Sequence, residues 1–237
     1  MKNISQKNAI KNKNEIAKIK KSLSITEDIF AVCIKHLKTG VEEIKIHDLI
    51  IKEMKKRKIT HIAFDPIVAF GKNTSHIHHT PTKNKLKSGD IVMLDFGATY
   101  QGYCADMTRT FLYKANNKEK EKIVLRTRIA KDLVLKALHK GERNTKKLDK
   151  IARDYIYKYY SQKSFPHSLG HGVGTHIHEW PSISPREDTK LLPGMVVTIE
   201  PGIYLESKYG SRDEDMILIK KNSIEVLNKA SFPLYIQ

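Results

Sequence analysis

The first third of the chain carries apolar residues at near-helical spacing. The pattern begins with the apolar positions Ile16, Ile19, Leu23 and Ile29. It predicts a helix that is capped by Asn14 and ends at Gly40, since glycine commonly terminates helices. Further helices are predicted over residues 42–57, 118–139 and 145–160.

Continuous apolar runs alternate with these helices. Residues 91–94 read Ile-Val-Met-Leu, and residues 195–199 read Met-Val-Val-Thr-Ile. Runs of this kind are typical of strands that are buried on both faces. Strands are predicted over residues 63–70, 91–96 and 103–112, and again through the C-terminal third. Helices that alternate with antiparallel strands indicate an α+β fold.

Both buried runs end on a carboxylate. Asp95 follows the first run and Glu200 follows the second. A single Asp or Glu in a chain of 237 residues is usually a solvated surface charge. At the end of a buried strand, however, a carboxylate is tolerated only if it is paired, hydrogen-bonded or bound to metal.

Hairpin geometry brings each of these carboxylates to a second one. In an antiparallel hairpin, the residue numbers of facing positions have a constant sum. A turn centred on residues 100–101 therefore places Asp95 opposite Asp106, with their Cβ atoms about 5 Å apart. The hairpin near the C-terminus places Glu200 opposite Glu214 in the same way.

An imidazole, that of His171, can join these carboxylates. Close carboxylates would repel one another, whereas two divalent cations would balance the formal charge of the four acids. Oxygen ligands with a single imidazole favour Mn, Fe, Co or Zn. Two such ions about 3.5 to 4 Å apart can share a water, lower its pKa and polarise a carbonyl group. The predicted chemistry is therefore hydrolysis.

Further histidines are candidates to donate protons or hydrogen bonds in that reaction. They are His76, His78, His79, His167, His176 and His178. The spacing of Gly170, Gly172 and Gly174 lacks the strand and helix of a phosphate-binding loop. It predicts a close approach of backbone segments beside His171 instead.

Four segments resemble the catalytic domain of the pita-bread metallopeptidases, the family of methionine aminopeptidase, aminopeptidase P and prolidase. The segments are LDFGATYQGYCADMTRTF, HSLGHGVGTHIHEWP, VVTIEPGIYL and GSRDEDM. The resemblance runs from about Asn14 to the C-terminus. It implies a curved antiparallel sheet with helices on its outer face and two halves related by a pseudo-twofold axis.

The resemblance also implies a role for each metal-binding position. Asp95 would hold one ion, His171 and Glu200 the other, and Asp106 and Glu214 would bridge both. Glu200 would in addition accept the proton of the attacking water. Two divalent ions are expected, with Mn preferred and Co, Fe or Zn as alternatives.

Several positions favour the proline-directed branch of the family. Arg212, Tyr204 and His167 match residues of the Xaa-Pro enzymes, and His167 would line the proline side of the pocket. The stretch over residues 69–82 aligns His78 with one substrate-facing histidine. The second is His178, in HIHE. The expected substrate is thus a dipeptide or longer peptide with proline at its second position.

The match to the 69–82 stretch is incomplete, because bulkier residues stand at three of its positions: Phe70, Ile77 and His79. Such residues are expected to narrow the entrance or to shift the neighbouring His78. His76, His79 and His176 are left without a role.

Two other functions are weighed against this one. The first is methionine aminopeptidase, which the single-domain length favours and the residues His167, Tyr204 and Arg212 disfavour. The second is a non-catalytic family member that binds protein or RNA. Such relatives are expected to lose metal ligands, whereas all five positions are kept here.

Length and charge add less. A chain of 237 residues suits one catalytic domain, expected over residues 14–237, with residues 1–13 as a polar tail or the remnant of a linker. The net charge of +17 would attract phosphate backbones. The lysines are spread along every predicted helix, however, so nucleic acid is not expected as a partner. A homo-oligomer is compatible with these features.

The cysteine content and the hydrophobic segments concern the cellular compartment. Cys33 and Cys104 are the only cysteines, and nothing requires them to pair, which suits a reducing compartment. Cys104 is interpreted as a packing residue. The sequence contains neither a signal-peptide core nor an apolar run of membrane-spanning length. A cytoplasmic location is expected.

Overall fold

The described part of the chain contains helices in two pairs. The computed structural model describes residues 8–59, 61–114 and 117–237. The helices are α1 (Lys13–His36), α2 (Glu43–Lys56), α3 (Lys118–His139) and α4 (Thr145–Ile156). The predicted second and third helices are confirmed to within one residue at each end. The fourth ends at Ile156 rather than at residue 160.

Most strands belong to two sheets. In chain order the strands are β1 (Ile67–Phe70), β2 (Ile91–Asp95), β3 (Thr99–Tyr100), β4 (Tyr103–Cys104), β5 (Thr108–Tyr113), β6 (Gly170–Gly172), β7 (Glu179–Ile183), β8 (Val196–Ile199), β9 (Gly202–Leu205), β10 (Tyr209–Arg212), β11 (Asp215–Ile219), β12 (Ile224–Val226) and β13 (Tyr235–Ile236). The first sheet has the order β1-β2-β5-β13, and the second has the order β12-β11-β8-β6-β7. Strand β13 runs parallel to β5, and the other pairs in these sheets are antiparallel.

Each helix pair contributes to one hydrophobic core. The core at α1 and α2 includes Phe30, Ile50, Phe70 and Val92. The core at α3 and α4 includes Val134, Leu148, Val197 and Ile217. A helix pair followed by a sheet therefore occurs twice along the chain, which gives the two similar halves that the family resemblance implies.

Two strand predictions need correction. The strand expected over residues 63–70 begins only at Ile67, and the strand expected over residues 103–112 is interrupted between β4 and β5. At the interruption, a Cβ atom on Gly97 would lie 1.7 Å from the carbonyl oxygen of Ala105. Only glycine allows this close approach of two backbone segments.

The residues just before α1 are folded onto the domain. A polar tail was expected over residues 1–13, of which residues 1–7 lie outside the described part of the chain. Lys11 is only 5% exposed, and its Nζ donates to Glu179 Oε2 over 2.6 Å. The expectation of a tail is therefore wrong for the residues that are described. The partner of Lys11 lies 168 positions away, so no local pattern reveals the contact.

Asn12, and not Asn14, caps α1. The Asn12 side-chain oxygen accepts from the backbone N–H groups of Asn14 (2.9 Å) and Glu15 (3.0 Å). In return, the Glu15 carboxylate accepts from the backbone N–H of Asn12 over 2.7 Å. This capping box satisfies donors that have no partner inside the helix. The helix stops at His36, and Gly40, with φ of +88°, belongs to the turn that follows.

We predict that Asn12→Ala lowers the free energy of unfolding by about 1 kcal/mol, because the cap is lost. Asn14→Ala is the matched control, since Asn14 contributes its backbone and not its side chain to the cap. It should change the free energy of unfolding by less than about 0.5 kcal/mol. Urea denaturation followed by circular dichroism measures both values. Equal losses would contradict the assignment of the cap to Asn12.

Candidate metal and peptide site

The five predicted metal ligands lie at or near strand ends. Asp95 is the last residue of β2, and His171 is the middle residue of the short strand β6. Glu200 directly follows β8, Glu214 directly precedes β11, and Asp106 lies between β4 and β5. All of them line one cavity of about 880 Å³. The structure therefore brings together residues that are spread over more than half of the sequence.

The predicted pairing of Glu200 with Glu214 is confirmed by the strand register. In the β9–β10 ladder, the residue numbers of every facing pair have the same sum as 200 and 214. The β8–β11 ladder has this sum as well. Glu200 and Glu214 lie between the two ladders, so they occupy facing positions.

The predicted pairing of Asp95 with Asp106 is wrong by two residues. Asp95 faces Thr108 in the β2–β5 ladder. The turn is formed by Gln101 (φ +48°) and Gly102 (φ +80°), one position later than predicted. Two-residue turns with positive φ match the twist of a hairpin. Asp106, two residues before Thr108, still lines the cavity.

Three ligand atoms are grouped closely. One side-chain atom each from Asp106, His171 and Glu214 lies within 4.8 Å of the others. His171 Nε2 is 3.5 Å from Asp106 Oδ2 and 3.2 Å from Glu200 Oε1. One imidazole nitrogen thus faces carboxylate oxygens from both hairpins.

The carboxylates at the centre of the site repel one another. Burial, and then the charges of Glu214 and Asp95, raise the pKa of Asp106 well above its usual range. Burial and the charge of Glu200 raise the pKa of Glu214 in the same way. One Glu214 oxygen accepts from the hydroxyl of Thr108 over 2.8 Å.

Two oxygens at this centre are left without a hydrogen bond. Among the described residues, Asp95 Oδ1 and Glu214 Oε1 are buried and have no hydrogen-bond partner. Buried oxygens without partners, beside like charges, are stabilised by a cation. The donor set, oxygens with one imidazole, is one that divalent transition metals accept. The residues present therefore fit divalent metal ions.

His171 is fixed by neighbours on both sides. Its Nδ1 lies 3.1 Å from the carbonyl oxygen of Gly172, which leaves Nε2 directed at the carboxylates. Its backbone N–H donates to Thr198 Oγ1 over 3.0 Å, and the Thr198 hydroxyl donates to Glu200 over 3.2 Å. Burial opposes ionisation of Glu200, but the hydrogen bond and charge of His171 hold the pKa of Glu200 at about 2.

The predicted close backbone approach around His171 is confirmed. A Cβ atom on Gly170 would lie 2.0 Å from the carbonyl oxygen of Thr198. A Cβ atom on Gly172 would lie 2.5 Å from the carbonyl oxygen of Trp180. Neither distance is compatible with a side chain, so glycines let strand β6 carry His171 between its neighbours.

A chain of hydrogen bonds leads from Asp95 to His167. Arg212 pairs with Asp95, and its Nη1 donates to the hydroxyl of Tyr204 over 2.5 Å. That hydroxyl lies 3.0 Å from His167 Nε2, and His167 Nδ1 lies 2.8 Å from the carbonyl oxygen of Ser168. Because a carbonyl oxygen only accepts, Nδ1 holds the proton and Nε2 accepts from Tyr204. Burial lowers the pKa of His167 to about 4, so the ring is neutral.

His78 and His178, the two predicted substrate-facing histidines, also line the cavity. The ring of His178 lies edge-on to that of His171, with centroids 4.5 Å apart. Burial, and then the charge of His171, lower the pKa of His178. Its neutral ring can still donate one hydrogen bond. Arg212 approaches the carbonyl oxygen of Ile77, beside His78, to 3.4 Å.

The bulkier residues of the 69–82 stretch have separate environments. Phe70 is fully buried in the core and does not narrow the cavity entrance. Ile77 does line the cavity. The Nε2 atom of His79, for which no role was predicted, lies 2.9 Å from Glu43 Oε2. His76 and His176 are exposed.

A buried charge network that sequence reasoning missed lies behind Glu214. Lys131, on α3, is 2.6 Å from carboxylate oxygens of both Asp213 and Asp215. Arg109 lies 2.7 Å from Asp215 and also donates to the backbone carbonyl of Glu214. The motif GSRDEDM displays the acids, but their cationic partners come from distant elements.

The chain belongs to metallopeptidase family M24, whose model matches residues 17–221. An uncharacterized peptidase of Methanocaldococcus jannaschii is 41% identical over 239 residues, which cover 98% of this chain and 67% of that protein. An uncharacterized peptidase of Staphylococcus epidermidis is 39% identical over 220 residues, which cover 93% of this chain and 62% of that protein.

Solved structures confirm the predicted pita-bread fold. An X-Pro aminopeptidase from Thermotoga maritima superposes with a TM-score of 0.91 at 35% identity, covering 98% of this chain and 65% of that one. A prolidase from Pyrococcus furiosus superposes with a TM-score of 0.91 at 35% identity, covering 97% of this chain and 68% of that one. This chain thus spans roughly two thirds of the length of these relatives.

Within the described residues, no helix combines the length and the hydrophobicity of a membrane span.

We predict that divalent cations stabilise the protein through Glu214. At one hundred times the Kd, binding to the native state alone adds about 2.7 kcal/mol to the free energy of unfolding. Glu214→Gln should stabilise the metal-free protein, since it removes one of the repelling charges. The Glu214→Gln variant should also lose most of the increase in the free energy of unfolding that metal binding provides.

Thermal unfolding of chelator-treated protein, with and without added Mn²⁺, measures both effects. Glu119→Gln, at an exposed carboxylate in the first turn of α3, is the control and should keep the full gain. A gain in Glu214→Gln as large as in the unchanged protein would rule out this carboxylate as a ligand.

Proposed function

We infer that this chain is the catalytic domain of a peptidase that uses two divalent metal ions to cleave the bond before proline, at the N-terminus of peptides or in dipeptides. The observation that carries this inference is one cavity that joins the repelling carboxylates to the neutral His167. The likeness to an X-Pro aminopeptidase and to a prolidase supports it. The proposed domain extends over residues 14–237.

The proposed ligands divide between the two ions. Asp95 would hold one ion, His171 and Glu200 would hold the other, and Asp106 and Glu214 would contribute to both. The grouping of Asp106, His171 and Glu214 atoms within 4.8 Å supports metal binding by these three residues. Manganese is the proposed metal, with Co, Fe or Zn as alternatives. When bound, such ions supply Lewis acidity and acidify a water molecule.

The proposed proton transfers rest on Glu200, His178 and His78. Glu200, which lines the cavity beside His171, accepts the proton of the attacking water. The ring of His178 donates a hydrogen bond to the oxygen of the attacked carbonyl, where negative charge develops. His78, which also lines the cavity, serves the leaving nitrogen.

The surface around His167 suits a proline ring. Both ring nitrogens of His167 are already engaged, by Tyr204 and by the backbone of Ser168. The ring also packs edge-to-face against Phe165, with centroids 4.9 Å apart. The side chain therefore offers the cavity an uncharged aromatic wall without a free polar atom. Proline lacks an amide N–H and is rigid, so it needs shape rather than an acceptor.

We predict that His167→Ala reduces kcat/KM for Ala-Pro and Ala-Pro-Ala by about tenfold or more, the scale of losing one well-placed contact of about 1.4 kcal/mol. Any residual cleavage of an Xaa-Ala peptide should fall less, and the metal content should stay unchanged. His139→Ala, at an exposed position at the end of α3, is the matched control. Turnover of the peptides and elemental analysis are the measurements.

The same assay separates the proposal from its rival. Met-Ala-Ser is included as a substrate of the methionine aminopeptidase type. Release of methionine from this peptide by the unchanged protein, with no cleavage of Ala-Pro or Ala-Pro-Ala, would overturn the proline assignment in favour of that rival.

A further inference from the structure

A buried carboxylate outside the proposed metal site accepts hydrogen bonds from a segment that forms one wall of the cavity. Glu43 lies in the first turn of α2, and its side chain is 0% exposed. The segment over residues 70–84 wraps around it. Six donors of this segment point at the two carboxylate oxygens: Phe70 N (2.8 Å), Asn73 Nδ2 (2.9 Å), Asn84 Nδ2 (3.1 Å), His79 Nε2 (2.9 Å), Thr82 N (3.0 Å) and Thr82 Oγ1 (2.8 Å).

The start of α2 also donates to the same segment. The backbone N–H of Glu43 donates to the carbonyl oxygen of Asn84 over 3.0 Å, and that of Ile44 donates to Thr82 over 2.9 Å. The first turn of α2 therefore both accepts hydrogen bonds from the segment and donates hydrogen bonds to it. Although burial opposes ionisation, the bonds from His79, Phe70 and the other donors hold the pKa of Glu43 at about 2.

The segment held in this way contains His78. After the single 3-10 turn at Gly71–Ser75, residues 76–90 form no strand or helix. The direct bond to Glu43 at His79 fixes the residue next to His78. Residues 77–81 all line the cavity that contains the proposed metal ligands.

We propose that Glu43 is a positioning residue that places His78 in the cavity through the segment over residues 70–84. The proposal rests on the proposed function, since it gives His78 a role toward the substrate. Glu43 does not itself line the cavity, since its carboxylate is directed at the segment over residues 70–84. A side chain that only supported α2 would change stability and leave the contribution of His78 to turnover unaltered.

The test is a double-mutant cycle on kcat/KM for Ala-Pro-Ala. Misplacement of a group by about 1 Å can cost up to about a hundredfold in rate. Glu43→Gln keeps the size of the side chain, but it removes the charge and turns one acceptor into a donor. We expect this substitution to lower kcat/KM by about tenfold or more when His78 is present. In a His78→Ala background the same change should cost less than about twofold, because the group that it positions is gone.

Glu53→Gln is the matched control. Glu53 is a buried carboxylate on the same helix, and its partners Lys56 and Arg57 lie at the end of that helix. Its replacement should leave kcat/KM within twofold in both backgrounds. Metal content, measured in all variants, should stay constant. Equal losses from Glu43→Gln with and without His78 would overturn the positioning role.

A second measurement does not depend on peptidase activity. Lys72, Lys83 and Lys85 lie in or beside the segment and are sites for trypsin. Glu43→Gln should speed trypsin cleavage there at least about fivefold, whereas Glu53→Gln should not. Unchanged cleavage would overturn the anchoring. If Glu43→Gln does not fold, Thr82→Val with Asn84→Ala removes partners from the segment side and takes its place in both arms.

The two arms separate the two proposals. Faster trypsin cleavage together with no turnover of any Xaa-Pro peptide would refute the proposed function and retain Glu43 as the anchor of the segment. The kinetic cycle would then use the peptide that the protein does cleave, such as Met-Ala-Ser. Normal Xaa-Pro turnover with an additive cycle would refute only the positioning of His78.

Discussion

The structure depends on holding several carboxylates close together inside the protein. Asp95, Asp106, Glu200 and Glu214 share one cavity, where like charges repel strongly because little water screens them. Cationic and hydrogen-bonding groups of the protein itself offset some of this repulsion. Arg212 pairs with Asp95, and the charge and hydrogen bond of His171 favour the ionised form of Glu200. Asp106 and Glu214 retain raised pKa values, so the centre of the site is the place where external cations contribute most.

Two kinds of support hold the residues around this centre. Glu200 and Glu214 stand between antiparallel ladders, which fix their backbone on both sides. His78 and His178 lie in loops instead, and each loop is tied to a carboxylate with little exposure to solvent. Glu43 holds the segment that contains His78, and Glu179, beside His178, pairs with Lys11. Strands thus fix Glu200 and Glu214, whereas ion pairs and hydrogen bonds fix the loops.

The sequence predicts those features that neighbouring residues determine, and it does not predict contacts between distant parts of the chain. Helix α3 is predicted to the residue and the register of Glu200 with Glu214 is right, because periodicity and constant pair sums are local rules. The pairing of Asp95 with Asp106 fails because the turn lies at Gln101 and Gly102, one position later than predicted, which shifts every facing pair by two residues. Lys11 and Glu43 were missed for a different reason, since each finds its partners in a distant part of the chain.

Arg212 couples the charged side of the cavity to the apolar side. One guanidinium contacts Asp95 and also donates to Tyr204, whose hydroxyl sets the tautomer of His167. A planar group with several fixed donors can do this, whereas a lysine ammonium on a flexible stem would not keep both contacts in register. The same guanidinium balances the charge of Asp95. A change in charge at Asp95 therefore alters the hydrogen bonds that Arg212 and Tyr204 make toward His167. In the proposed function, this single side chain connects the metal ligand Asp95 to the wall that faces the second substrate position.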